Sequence, residues 1–288
     1  MDLPQELTQA DSNVWVIQPR REGLVARLRD AWRYRALMRF FASKSIQKLY
    51  RRTVLGRSWI FIRPLFPLVV NTLVFGGMLR VGSHGVPYFI FLTTGTSLWD
   101  LFANSVMWGT RSLDMNRGFM SKIYLPRLIL PVAAVAPAYV NFGISLGLLL
   151  ISVVYYRVTT GVLYLTPVHL GWALLSLGMT AFLALGIGLW TSVPALQVRD
   201  VRFTLSYVMG FWVFLTPILY PINLPPRWAW AISLNPMAAI VNAFKYGMLG
   251  IDVLSVRDLG IAALISIVIF VSGLAYFGRA ECDAADKL

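Results

Sequence analysis

Apolar runs about as long as a bilayer is thick recur six times along this chain, and they limit its folds more than any other feature. A helix needs roughly 20 mostly apolar residues to cross a hydrocarbon core of about 30 Å. Stretches at 59–79, 87–109, 128–156, 168–193, 203–219 and 259–277 reach or approach that length. Only 14% of the residues are charged, against roughly 25% in soluble domains. The reading is an all-α integral membrane protein with six transmembrane helices, the third long enough to tilt, or to kink at Pro131 or Pro137.

Charge placement gives the spans a direction. The chain carries 26 lysines and arginines against 13 acids, a net charge of +13. Counting Arg63 near the start of the first span, 21 of the 26 fall in the N-terminal part, the 110–127 connection, at Arg199 and Arg202, or in the tail. The alternate connections hold Arg80, Arg157, Arg227, Lys245 and Arg257. Basic residues favour the cytoplasmic side of a membrane, so both ends are expected inside the cell. A positive surplus also serves nucleic-acid binding, but bases set beside apolar spans meet anionic lipid instead, and no nucleic-acid partner is expected. Residues 1–22 hold Asp2, Glu6, Asp11 and Glu22 and lack the apolar core of a cleavable leader. Cys282 is the single cysteine, so no disulfide is expected within one chain.

Three parts follow: a cytoplasmic segment 1–57, a transmembrane domain 58–279 and a tail 280–288. Wound as a helix, 43–54 puts Ile46, Leu49, Tyr50 and Thr53 on one side and Lys44, Lys48, Arg51 and Arg52 on the other. That pattern predicts an N-terminal interfacial amphipathic helix, preceded by a break near 35–39. Pro221, Pro225, Pro226 and Pro236 cut 221–250 into apolar pieces of roughly ten residues, too short to cross. Outward-facing re-entrant helices before the last span fit this segment, provided protein or water covers the broken backbone.

Several chemistries have no residues to carry them. A phosphate-binding loop needs Gly-Lys before Ser or Thr, and the lysines here follow Ser43, Gln47, Ser121, Phe244 and Asp286. His84 and His169 are the only histidines and have no flanking carboxylates, so no metal is expected. Gly143, Ser145 and Gly147 match a hydrolase elbow nominally, but they lie in an apolar helix, where small residues serve close helix packing. No catalytic residue is assigned.

Two constellations suit transport. The connection at about 110–126 mixes Arg111, Asp114, Arg117 and Lys122 with Met115, Phe119 and Met120, a pattern for a helix that presents apolar knobs to a partner's groove. Trp99, Phe102 and Trp108 on the second span join Tyr207, Phe211 and Trp212 on the fifth. Sugar rings stack their C–H faces on such side chains, although aromatics also fill cores and mark membrane interfaces. Asp100 is the one acid well inside a span, and intramembrane carboxylates are functional candidates.

The chain resembles the permease subunit of ABC-2 transporters that export polysaccharides such as O-antigen, capsule and teichoic acid. Tyr50, Arg51, Arg52, Thr53, Gly56 and Trp59 carry the likeness, with Pro64, then Leu98, Trp99, Asp100, Leu101 and Phe102. Asn116, Ser121, Lys122, Pro126, Arg127 and Pro131 continue it, and Asn235, Pro236 and Met237 complete it. The resemblance implies a homodimer in the inner membrane, bound to two copies of an ABC ATPase that hold ATP and magnesium. This chain would hold no cofactor. It implies that 110–126 is the coupling helix and that the amphipathic helix lies at the cytoplasmic rim. The substrate implied is a lipid-linked glycan, with the basic rim of Lys44, Lys48, Arg51, Arg52 and Arg57 attracting its diphosphate and anionic lipid alike. An ABC-2 exporter of drugs or small lipids is the alternative.

Overall fold

Every element is helical among the residues that a computed structural model of the chain describes, which are 29, 32–50, 58–120, 126–166, 169–220, 230 and 233–285. In chain order they are α1 (Arg35–Tyr50), α2 (Trp59–Asn71, continuing as a π-helix over Thr72–Met78), α3 (Tyr88–Met115) and the single turn α4 (Arg117–Met120). There follow α5 (Ile129–Ala134), α6 (Ala136–Thr160), α7 (Leu170–Gln197), α8 (Asp200–Trp212, with a 3-10 turn Val213–Leu215), α9 (Pro236–Leu249) and α10 (Val256–Ala285).

Among the described residues, four helices are long and apolar enough to cross a membrane: Phe61–Met78, Ile129–Thr160, Leu170–Gln197 and Val256–Ala280. The predicted second and fifth spans differ, each for its own reason. The second forms the 28-residue α3, whose Thr, Ser, Asp and Arg residues lower its apolarity. The fifth forms only the 13-residue α8 before the chain unwinds at Thr216. Between α5 and α6 the helix breaks at Val135, as the proline reading anticipates, because Pro137 has no N–H to continue the ladder. Pro64 and Pro67 lie inside α2 rather than at its start.

The core forms around α3. Its hydroxyls bond back to the preceding turn, Thr94 to the Ile90 carbonyl at 2.8 Å, Ser97 to that of Thr94 at 2.9 Å and Thr110 to that of Val106 at 2.8 Å. A threonine-rich helix can therefore be buried without orphaned donors at those positions. Leu98, Phe102, Val106 and Leu101 fill the space towards α6, α7 and α9.

Glycine sets how closely the helices approach. A Cβ on Gly109 of α3 would lie 3.3 Å from the Gly188 Cα of α7. Beside that crossing, the Thr110 and Thr191 hydroxyls pair at 2.5 Å. On the other side of α7, a Cβ on Gly186 would lie 2.8 Å from the Phe270 backbone, and one on Gly273 would lie 2.5 Å from the Gly186 carbonyl oxygen. These contacts are what small residues do at membrane helix crossings. The sequence reading assigned that role to Gly143 and Gly147. Among the described residues, neither has an atom from another helix within 4 Å of where a Cβ would stand, because α6 turns them away from its neighbours.

The N-terminal helix begins at Arg35, just past a turn at Tyr34 that stands beside the expected break. It departs from expectation in its packing: Phe41 and Ser45 are buried, with Leu37, Met38 and Ala42 packed in the same cluster as α5. Lys44, placed on the polar face by periodicity, is half-buried with its ammonium 3.6 Å from the Phe119 ring centroid. Arg51, Arg52, Arg57 and Lys122 lie outside the described residues, as do the Lys48 side chain, the Cys282 side chain and 221–229 of the predicted re-entrant segment.

Candidate functional site

Two loops that are far apart in sequence meet at one end of the bundle. Helix α3 carries straight into the predicted coupling segment as far as Met115. There the Asn116 side chain donates to the Ser112 carbonyl at 2.9 Å, and the chain turns into α4. Asp114 on the last turn of α3 pairs with Arg202 at the start of α8. Arg111 and Arg117 are exposed, whereas Met115, Phe119 and Met120 are half-buried. Phe119 and Met120 pack against the subunit's own cluster, Phe119 meeting the Phe41 ring edge-on at 5.7 Å. The apolar knobs expected to face a partner are thus partly used internally, and the two arginines are the free part of this surface.

The Asp114–Arg202 pair ties α3 to α8 at a partly solvated position, where such pairs contribute roughly 0.5–1 kcal/mol. Asp114→Arg and Arg202→Asp are each expected to lower the thermal stability of the solubilised protein. The double exchange is expected to recover most of the loss in a double-mutant cycle.

Along α3 runs a second feature. Thr96, Asp100, Asn104, Met107 and Arg111 recur at helical spacing on the side not packed by α7, and Asp100 and Arg111 are exposed on the single chain. Asn104 donates its amide to the Asp100 backbone carbonyl at 2.8 Å. A carboxylate and a guanidinium on one face of a membrane helix cannot remain in hydrocarbon. They require water or a second protein surface.

The predicted aromatic set divides. Trp99, Phe102 and Trp212 come together with ring centroids 5.4 to 6.3 Å apart. Trp99 and Phe102 are buried, so within this chain they pin α8 to α3 and show no face to a solute. Trp108 is half-buried on α3. Tyr207 and Phe211, 80% and 68% exposed, lie on α8, where Met209 is the only buried residue.

Residues 36–249, from the first residues of α1 to the end of α9, match the ABC-2 type transporter family. The chain belongs to that family. Among relatives of this ABC-2 transporter is the O-antigen export system permease protein RfbA of Myxococcus xanthus, 27% identical over 77% of this chain and 84% of the relative. The RfbA permease of Klebsiella pneumoniae is 25% identical over 88% and 95%. The inner membrane transport permease YadH of Escherichia coli is 27% identical over 68% and 78%.

Sequence reasoning about the transporter gave no role to Tyr88, Arg202 or Lys245, which the fold brings into use, and named Asn235 only as part of the family likeness. Lys245 had a visible signal, a lone charge within the otherwise apolar run Pro236–Leu249, read only as one more count in a topology rule. Arg202 and Tyr88 had none, since their partners are 88 and 131 residues away.

Proposed function

We infer that this ABC-2 transporter is the permease subunit of an ATP-driven exporter, a multi-pass protein of the inner membrane that carries polysaccharide outward. The observation that carries this reading is the family match over most of the chain, joined to likeness along nearly the full length of permeases named for O-antigen export. The sequence offers no Gly-Lys for a nucleotide's phosphates, so the work comes from a separate ABC ATPase, two copies for a dimer of this chain. Six passages with both ends cytoplasmic account for the alternation of basic connections. α8 and the unwound residues that follow it make the fifth passage, and the segment 221–250, of which α9 is part, is outward-facing and re-entrant. The exposed face of α3 then turns towards a second copy. Asp100, Asn104, Tyr207 and Phe211 line a path between subunits in which hydroxyls find polar partners and sugar rings find aromatic faces. A lipid-linked glycan is the substrate, its diphosphate drawn to the basic rim of the first helix. Movement of the coupling segment rotates α3 and α5–α6 as rigid bodies and opens that path.

The test is reconstitution. The tagged chain is purified with the ATPase that accompanies it and placed in vesicles loaded with the host's extracted lipid-linked glycan. ATP-dependent appearance of glycan on the opposite face is the expected result. Accumulation against a gradient by this polypeptide alone would overturn the division of labour. Because YadH bears only a transport-permease name, drug and small-lipid substrates form the second arm. Movement of those, with none of the glycan, replaces the substrate assignment.

A further inference from the structure

At 13 residues α8 is too short to cross a bilayer as a helix, and the chain beyond it unwinds and leaves backbone carbonyls outside any helix. Thr216 is extended, with ψ 137°, and no helix is resumed up to Tyr220. Unwound backbone in a membrane persists only where protein or water satisfies it. Here three side chains from two other helices and a helix cap do so. The Asn235 amide, at the N-cap of α9, donates to the Leu215 carbonyl at 2.9 Å. The Lys245 ammonium of α9 donates to the Pro217 carbonyl at 2.7 Å. The Tyr88 hydroxyl of α3 donates to the Leu219 carbonyl at 2.5 Å.

Lys245 is the centre of this arrangement. It is 1% exposed, and its ammonium stands 3.4 Å from the Phe91 ring centroid of α3. A ring face and carbonyl oxygens are the groups that welcome a cation withdrawn from water. Gly95 of α3 makes the slot for it. A Cβ there would lie 3.0 Å from the Lys245 Cε and 3.3 Å from the Ile218 Cγ2. One side chain therefore bridges α9, the break and α3.

Between its ends α8 is held lightly, by the buried Met209 and the half-buried Leu205, while most of its other residues are exposed. It is attached to α3 by the Asp114–Arg202 pair at its start and by the Trp99–Phe102–Trp212 cluster and the Lys245 bridge at its finish. We propose that Lys245 is a positioning residue for export: it locks the break after α8 to α3 and α9, so that the three move as one body when the coupling end of α3 is displaced. The proposal rests on the permease reading and adds the rigid joint through which a push at one end reaches the other.

Lys245→Met keeps the length and volume of the side chain and removes the donor. With the chain in its complex with the ATPase, the expected result is an unchanged amount of complex and an unchanged rate of ATP hydrolysis. Surface glycan is expected to fall at least tenfold. Export at the level of the Lys245 protein would overturn the proposal. A second arm is Tyr88→Phe, which removes the donor to the Leu219 carbonyl and leaves the Lys245 slot untouched. Export per complex is expected to fall several-fold, with the amount of complex and the rate of ATP hydrolysis unchanged. Undiminished export in that variant would show that the break needs no fixed tie to α3 and would overturn the rigid joint. This arm decides the matter if Lys245→Met lowers the amount of complex. Failure of the permease reading is seen separately, as absence of glycan transport by the unaltered complex.

Discussion

Gly273→Ala is expected to strip the membrane of much of its folded permease, although it adds a single methyl group to a helix. The added carbon would stand 2.5 Å from the Gly186 carbonyl oxygen and 3.0 Å from Trp190. Backbone cannot yield as a flexible side chain can, so α7 and α10 must separate. Overpacking of this kind costs roughly 1–3 kcal/mol, and Gly186→Ala, against the Phe270 backbone, belongs to the same class. The control is Gly143→Ala in α6, where the methyl meets nothing within 4 Å. Removing a glycine's backbone freedom there is expected to be neutral or to stabilise by up to about 1 kcal/mol. Melting of the solubilised protein, followed by size exclusion, checks the opposite signs. Equal effects at Gly273 and Gly143 would show that the crossing is looser than these distances require.

Charge reversal of Arg111 and Arg117 together is expected to release the ATPase while leaving the permease folded. Both guanidinium groups are exposed at the end of α3 and in α4, where they are free to meet an acidic groove. Placing like charges opposite such a groove costs on the order of 1–3 kcal/mol, which is about a ten- to hundredfold loss of association. Pull-down of the ATPase and export should fall in step, while the melting temperature stays near that of the unaltered chain. Phe119→Asp is the contrasting case. That ring is packed against Phe41 and beneath Lys44, so its loss is expected to lower stability as well as coupling. Retained ATPase binding after reversal of both arginines would remove the coupling role from this surface.

The two expectations divide along the line between what is local and what is not. All-helical architecture was legible because bilayer thickness sets a length that a one-dimensional scan detects. The kink before Pro137 was legible because a missing N–H acts on its own helix. The family likeness was legible from the order of short polar punctuation between spans. Long-range pairings left no such trace. Gly143 and Gly147 carry the small-residue spacing of a crossing yet face away, whereas Gly109, Gly186 and Gly273 make the crossings. Spacing says which residues share a face, not which face meets a neighbour. Trp99 and Phe102 could be read as sugar platforms as well as core, and only the folded chain buries them against Trp212. A lysine in an apolar run signals that something must satisfy it. That the partners are the carbonyl of Pro217 and the ring of Phe91 was decided by the packing of three distant segments, because hydrocarbon leaves a buried cation no other place to find oxygen and π electrons.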